Sequence, residues 1–369
     1  MMGAVLTRTQ QLVTVFGGSG FLGRYVVRAL AQRGYRVRVA VRRPDLAGHL
    51  QPLGKVGQIH AVQANLRHRG SIEHAVDRAD AVVNLVGILR ESGRQTFAAV
   101  QADGAAGVAE AARAVGAALV HVSALGADAN ATSLYARSKA EGEAAALAAG
   151  AAVFRPSLMF GPGDRSFNRF GSLARTMPVL PLVGADTRFQ PVYAADVGEA
   201  VARAVDGDVA RGRIYELGGP EIRTLYELVA YVLQQTERRR PVLKLSPGLG
   251  RVQAIVMETL DLLTLGLLPN ELKLTRDQVL LLQHDNVVSP EANAEGRTLQ
   301  GLGIEPTAFE AVVPAYLLRF RTAGQFDGGR VAFPSAAPDT IAPDESGARG
   351  AHLRPGEPAG PAVGQRAAG

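Results

Sequence analysis

The chain of 369 residues has no cysteine and no tryptophan. Without thiols it can form no disulfide, offer no thiolate nucleophile and bind no zinc or iron–sulfur cluster through sulfur. Aromatic residues make up only 5% of it, and they do not interleave with basic residues as on a nucleic-acid surface, although the net charge is +6. Nucleic acid is therefore not an expected partner. The mild positive charge suits an anionic cofactor, an anionic membrane surface or an acidic protein. No run of about 18 uncharged apolar residues is present, so no transmembrane helix is expected. The most apolar stretch, Leu249 to Leu268, is broken by Arg251, Glu258 and Asp261. No charged segment with a following apolar region and cleavage site precedes the first strand pattern, so no signal peptide is expected. The seven histidines, His49, His60, His68, His74, His121, His284 and His352, are scattered. None pairs at i, i+4 with a carboxylate on a helix, so no metal site is expected. His121 reads as a satisfied core residue within a buried strand.

What the chain does have is concentrated near its start. Gln11-Leu12-Val13-Thr14-Val15-Phe16 is an apolar, β-branched run that reads as a buried strand. Gly17-Gly18-Ser19-Gly20-Phe21-Leu22-Gly23 follows, and then Arg24 to Ala31 with apolar residues at helical spacing. Strand, glycine turn and helix form the context of a dinucleotide-binding fingerprint. Gly17 permits the tight turn. Gly20, with its freedom to take positive φ, lets the backbone approach a pyrophosphate, and Gly23 lets helix and strand pack closely. The N–H groups of Phe21 and Leu22 at the helix start face the phosphate charge.

A second strand, Arg36 to Val41, ends in Arg42-Arg43. A site selective for NAD(H) carries Asp or Glu here, accepting from the ribose 2′-hydroxyl. A carboxylate would repel a 2′-phosphate, whereas arginine offers planar, permanently charged donors. NADP(H) is therefore the expected cofactor, with NAD(H) less favoured.

Further strand patterns run from Gln58 to Val62, Ala81 to Val86, Ala118 to Val122 and Ala151 to Phe154. Alanine-rich helical stretches, Phe97 to Val115 and Ser138 to Ala149, lie between them. The alternation predicts an α/β fold with a Rossmann-type, doubly wound parallel sheet. Ligands of such sheets bind beyond the strand ends, which adds Asn65, Leu66, Val86, Gly87, Pro156 and Ser157 to the expected cofactor-binding residues. The expected organisation is a Rossmann domain over 11–220, with lobe insertions after about 156. A small, mainly helical C-terminal lobe over 221–321 and a disordered tail over 322–369 follow. Lobe helices are expected at Leu225–Glu237, Leu249–Leu268 and Arg276–His284, and Ala308–Arg321 is expected to be the last ordered piece. The tail, rich in Gly, Pro and Ala, cannot bury enough apolar surface to offset its ordering entropy.

The fifth strand ends at His121-Val122-Ser123, and Tyr135-Ala136-Arg137-Ser138-Lys139 follows. Tyr and Lys four apart share a helix face. There the ammonium can lower the phenol pKa and hold the nicotinamide ribose, while Ser123 orients a substrate carbonyl. Ser123, Tyr135 and Lys139 are the candidate catalytic residues, and Tyr135 and Lys139 also belong to the cofactor-binding set.

These motifs resemble the short-chain dehydrogenase/reductase superfamily, in its extended or atypical branch. Arg155-Pro156-Ser157, Phe160-Gly161-Pro162 and Pro191 to Val197 continue the likeness. Together with Val122 to Ala127, Arg165 to Phe170 and Tyr215 to Pro220, they narrow it. The chain is similar, over about residues 11 to 321, to the nucleotide-binding accessory subunit of respiratory complex I and its bacterial relatives. The resemblance implies tightly held NADPH with a structural role and complex I subunits as partners. It also implies proximity to a quinone or membrane surface, and a cytoplasmic location, peripheral on the cytoplasmic face of the inner membrane. An active NADP(H)-dependent reductase or epimerase, or a factor in ubiquinone biosynthesis, is the alternative. Two positions depart from the pattern. Asn65 stands where many relatives have Asp near the adenine, although an amide can still donate and accept there. Ala124 follows Ser123 where sugar-nucleotide epimerases carry further hydroxyls, which weakens a sugar-substrate reading.

Overall fold

The computed structural model of the protein describes residues 7–246, 248–252 and 275–322. Seven parallel strands form one sheet: β1 (Leu12–Phe16), β2 (Arg36–Val41), β3 (Ile59–Gln63), β4 (Ala81–Asn84), β5 (Ala118–Val122), β6 (Ala152–Pro156) and β11 (Ile214–Leu217). Their order is β3-β2-β1-β4-β5-β6-β11. The chain thus winds outward from β1 in one direction and then, from β4, in the other. The reversal between β1 and β4 opens a crevice at the carboxyl ends of the strands.

Both faces of the sheet are covered, which is why central strands such as β1 and β4 read as nearly continuous apolar runs. Val13, Val15, Val39 and Val120 pack with α1 (Phe21–Gln32) and α6 (Ala194–Asp206). Phe16, Val82, Leu119 and Val153 pack with α2 (Arg69–Val76), α3 (Asp103–Ala114) and Ala146 of α4 (Leu134–Ala148). β4 stops at Asn84 rather than at the expected Val86. The Asn84 side-chain carbonyl accepts from Val86 N at 3.1 Å and turns the backbone off the sheet.

The stretch expected as one helix from Phe97 to Val115 begins with a π-helical turn, Ala98–Ala102, before α3. The reason lies in α4, which crosses here at very short range. A Cβ added to Gly142 would lie 2.0 Å from the Gln101 carbonyl oxygen and 2.9 Å from Ala105 Cβ. The helix α4 also starts four residues before the expected Ser138. Ser133 caps it, its hydroxyl accepting from Ala136 N at 3.2 Å.

The remaining strands make three small pairs. β7 (Met159–Phe160) runs parallel to β10 (Val192–Tyr193), and β8 (Leu180–Val183) parallel to β13 (Val242–Leu245). β9 (Arg188–Phe189) is antiparallel to β12 (Arg223–Thr224). With them go α5 (Ser166–Thr176), α7 (Leu225–Gln235), α8 (Arg276–Leu281), α9 (Pro290–Ala294) and α10 (Phe309–Leu317). Phe160, Phe167, Leu228, Phe309 and Val313 join in a second core, which draws on residues from both sides of Pro220. The helix expected over Leu249–Leu268 lies, after Val252, outside the described residues, as does the tail expected beyond Thr322. Among the described residues no helix is long and apolar enough to cross a membrane.

The crossing of α4 over the π-helical turn gives a direct test. Gly142→Ala should lower the unfolding free energy by about 3 kcal/mol, because backbone must move to admit one methyl group. Gly70→Ala, at a helical position with nothing within 4 Å of the added Cβ, should be neutral or mildly stabilising. Thermal or urea unfolding of both variants would check this, and coincident curves for Gly142→Ala and the wild type would refute the close crossing.

Candidate functional site

The crevice at the sheet's switch point is a cleft of about 1130 Å³. Of the residues singled out from sequence, Gly17, Gly20, Phe21, Leu22, Gly23, Arg42, Asn65, Leu66, Val86 and Gly87 line it. So do Ser123, Tyr135, Lys139, Pro156 and Ser157. Arg43 does not join them. It turns to solvent and pairs with Asp45 at 2.8 Å.

The glycine loop sits under one end. Gly17 has φ +78°, which favours glycine. A Cβ at Gly23 would fall 2.4 Å from the Gly18 carbonyl oxygen, so only glycine lets α1 begin against the loop. Gly20 differs from expectation. Its φ of −74° and ψ of −177° are ordinary extended backbone, so left-handed freedom is not what it supplies. What it supplies is space, since its Cβ would meet the Gly17 carbonyl at 3.1 Å. No side chain caps α1, and no acidic residue lies in its first turn. Its first N–H groups and the positive end of its dipole are thus presented to the cleft, as an anion site requires. Arg24, Arg42, Arg67 and Arg165 add guanidinium groups to the lining. The Asn65 side-chain carbonyl accepts from Arg67 N at 3.2 Å, fixing the turn after β3.

At the other end stand Ser123, Tyr135 and Lys139. Tyr135 meets Phe97 edge-to-face, with ring centroids 5.8 Å apart. Its phenol is pushed up to about 12 by burial and by the Asp277 carboxylate. This reverses the expected lowering by Lys139, because desolvation of the phenolate is the larger effect. Lys139 is 4% exposed, and its Nζ donates to the Val122 carbonyl at 2.9 Å. Burial brings its pKa down to about 8, against the pull of Glu143 one turn on. The ammonium is therefore still protonated near neutral pH. Ser123 Oγ is buried and finds no protein partner, which suits a hydroxyl waiting for a ligand's polar atom. Together with the uncapped start of α1, this unpartnered hydroxyl makes the cleft fit a nicotinamide dinucleotide.

His121 departs from the satisfied core residue expected. Its Nδ1 lies 3.3 Å from Asn84 Nδ2, but its Nε2 has no partner, and burial pushes its pKa down to about 3. The ring is neutral. Sequence reasoning also missed Gln101, Asp277 and Asn286. Gln101 accepts from Ile88 N at 3.3 Å and donates to Ser138 Oγ at 3.0 Å, bracing the loop after β4 against α4. It lay in an alanine-rich helical stretch with no motif around it. Asn286 accepts from Ser157 Oγ at 2.7 Å, so the Ser157 hydroxyl is engaged by the chain itself. Among the described residues no group of three or more His, Asp or Glu could hold a metal ion.

The burial of Lys139 carries a pH signature. Its folded pKa, about 8, lies below its ordinary value of 10.5. Between those values the unfolded chain binds more protons, so this group makes stability rise with pH. Relative to Lys139→Met, the wild type should gain about 3 kcal/mol as pH rises from 8 to 10.5. Tyr135 is present in both proteins and cancels. Urea unfolding of the pair across that window would measure the gain, and a constant difference would show that the amine is not desolvated.

The comparisons with known proteins agree with this geometry. Residues 13–218 match the model of the NAD dependent epimerase/dehydratase family. The chain is 32% identical over 327 residues to the mitochondrial NADH dehydrogenase [ubiquinone] 1 alpha subcomplex subunit 9 of Arabidopsis thaliana, covering 87% of this chain and 80% of that protein. It is 35% identical over 192 residues to a ceramide reductase of Caulobacter vibrioides, covering 52% of this chain and 59% of the relative. Among solved structures, the Escherichia coli NADPH-dependent quinone oxidoreductase QOR2 with NADPH superposes with a TM-score of 0.63 at 19% identity, over 83% of this chain and 99% of that one. The dTDP-glucose 4,6-dehydratase DesIV of Streptomyces venezuelae with NAD gives 0.63 at 20%, over 84% and 96%. The family match spans the sheet, the glycine loop and the Ser–Tyr–Lys cleft, and the chain belongs to the NAD dependent epimerase/dehydratase family, as an atypical extended short-chain dehydrogenase/reductase akin to the complex I alpha subcomplex subunit 9 proteins.

Proposed function

We propose that this protein holds NADP(H) in the cleft as a structural cofactor and serves as an accessory or assembly subunit of respiratory complex I, peripheral on the cytoplasmic face of the inner membrane. The observation that carries the cofactor assignment is Arg42. It lines the cleft at the end of β2, where a 2′-hydroxyl reader would be a carboxylate. The uncapped start of α1 would receive the pyrophosphate, and Tyr135 and Lys139 the nicotinamide ribose. A phenol held near 12 stays protonated at neutral pH and can act as a donor to that ribose. The association with complex I rests on the similarity to subunits of that complex over 87% of the chain.

A second reading is favoured by Ser123, Tyr135 and Lys139 lining one cleft. Bound NADPH would supply a hydride. The protein's part would be to orient a carbonyl through Ser123 and to deliver a proton from Tyr135, with Lys139 holding both ribose and phenol in place. An NADP(H)-dependent reductase or epimerase of this kind, or a ubiquinone-biosynthesis factor, would act on a small or quinone-like substrate.

Cofactor fluorescence titration should give tighter binding of NADPH than of NADH. Arg42→Glu should weaken NADPH selectively, since it replaces a charge-assisted contact by repulsion of the 2′-phosphate. Equal affinities for the two nucleotides would overturn the NADP(H) assignment. Under the structural reading, Tyr135→Phe weakens NADPH binding by no more than about tenfold, the scale of one ribose hydrogen bond, and leaves the melting temperature nearly unchanged, and the protein copurifies with NADH:ubiquinone oxidoreductase activity from its host's membranes. NADPH oxidation with a quinone or ketone, cut about a hundredfold by Tyr135→Phe, would establish the reductase reading instead.

A further inference from the structure

Tyr135 is the second residue of α4, so its position depends on how the first turn of that helix is held. Four N–H groups at a helix start have no partner within the helix. Ser133 Oγ serves the N–H of Ala136 at 3.2 Å. Those of Leu134 and Tyr135 are met by one side chain, 143 and 142 residues further along. Asp277 Oδ1 accepts from Leu134 N at 2.7 Å, while its Oδ2 accepts from Ser133 Oγ at 2.9 Å and Tyr135 N at 3.3 Å. One carboxylate therefore holds both the capping hydroxyl and the backbone of the residue that carries the phenol. It also places a negative charge at the positive end of a 15-residue helix.

Asp277 belongs to a short strap, residues 275–286, which is itself tied down. Thr275 and Gln278 form a reciprocal capping box at the start of α8. Thr187 Oγ1 donates to the Leu282 carbonyl, and Arg188 pairs with Asp285 at 2.7 Å. At the far end, Asn286 accepts from Ser157 Oγ at 2.7 Å and donates to the Leu125 carbonyl at 3.2 Å. Ser157 follows β6, and Leu125 lies two residues beyond Ser123. Between these anchors Leu280, Leu281 and His284 form part of the cleft wall. The strap therefore crosses from the helix that carries Tyr135 to the loops that carry Ser123 and Ser157.

We propose that Asp277 is a positioning residue for Tyr135, and that the 275–286 strap, anchored by Asp277 and Asn286, sets the spacing of the cleft's reactive end. The nucleotide arm of this proposal rests on the reading that the cleft holds NADP(H); the tyrosine arm does not. A mere staple between two segments would contribute to stability without acting on the phenol. A positioning carboxylate acts on it through space and through the helix start. Asp277 is the charged group that, with burial, holds the Tyr135 phenol above its ordinary range.

The test compares Asp277→Ala with Asp277→Asn. The first removes the acceptor; the second keeps one acceptor oxygen and discards the charge. The Tyr135 titration is read at 295 nm as the difference between each protein and its Tyr135→Phe counterpart, without nucleotide. In both variants Tyr135 should ionise at lower pH than in the wild type. Exchange of the Leu134 and Tyr135 amides should quicken at least tenfold in Asp277→Ala. NADPH affinity should fall about tenfold in Asp277→Ala and stay within about threefold of wild type in Asp277→Asn. Folded variants with an unmoved Tyr135 titration would overturn the proposal and leave Asp277 a staple. Should Asp277→Ala not fold, the Asp277→Asn titration decides in the same way. Wild-type protein that binds no nucleotide would defeat the NADP(H) reading, while titration and amide exchange would still judge the strap.

Discussion

Keeping an ammonium group 4% exposed at the end of a β-strand is costly, and much of this fold's local geometry follows from doing so at Lys139. The group has one hydrogen-bonded carbonyl, that of Val122, and a carboxylate one turn away in Glu143. For Nζ to reach that carbonyl, α4 must lie close over the strand ends. Gly142 makes the approach possible by offering no Cβ where the Gln101 carbonyl lies. The π-helical turn at Ala98–Ala102 is the matching deformation on the other side of the contact. Arg155 then grips Glu143 with two bonds of 2.9 and 2.6 Å, which fixes the helix to β6 and satisfies the carboxylate that faces the amine. Burial of one cation thus fixes a helix crossing, a deformed turn and a buried ion pair, and these frame one wall of the cleft.

The same network explains what could and could not be read from the chain. The strands were legible because both sheet faces are covered at the centre, so that Val13, Val15, Val82 and Val83 stand in apolar β-branched runs, while toward the edge Val37 and Val39 alternate with arginines. The glycine loop was legible because its spacing is local. The helix α4 was legible in sequence except for its first turn, Leu134 to Arg137. Its buried residues include Ser138, Lys139, Gly142 and Glu143, so it carries no apolar stripe to mark its start at Leu134. Polar bonds and a close glycine contact hold it, and neither leaves a periodic signal. The π-helical turn was hidden for the same reason, since an alanine-rich run reads as regular helix whatever lies against it. Asp277 and Asn286 were beyond reach altogether. Their partners are 142 and 129 residues away, and nothing in a short acidic-then-apolar segment announces what it will cap.

Arginines 42 and 43 show a finer limit. Adjacent residues at a strand end point in different directions, so a pair of like charges in sequence need not act together in space. Arg42 lines the cleft, while Arg43 finds Asp45 two residues on, at the start of a short 3₁₀ turn. The motif gave the sign of the local charge, and the turn chemistry after it decided which guanidinium stays with the cleft.

Two helix starts border this cleft, and they are finished in opposite ways. The start of α1 has no capping side chain and no acid in its first turn, and arginines line the cleft near it. The start of α4 is closed twice, by Ser133 and by the carboxylate of Asp277. Equal peptide dipoles are therefore presented to a ligand at one end and neutralised from within at the other. An anion gains from the first end and is repelled from the second by Asp277. A dinucleotide has this polarity: its charge sits on the phosphates, and its nicotinamide end carries no comparable negative charge. Capping, rather than the fold as such, gives the cleft its direction.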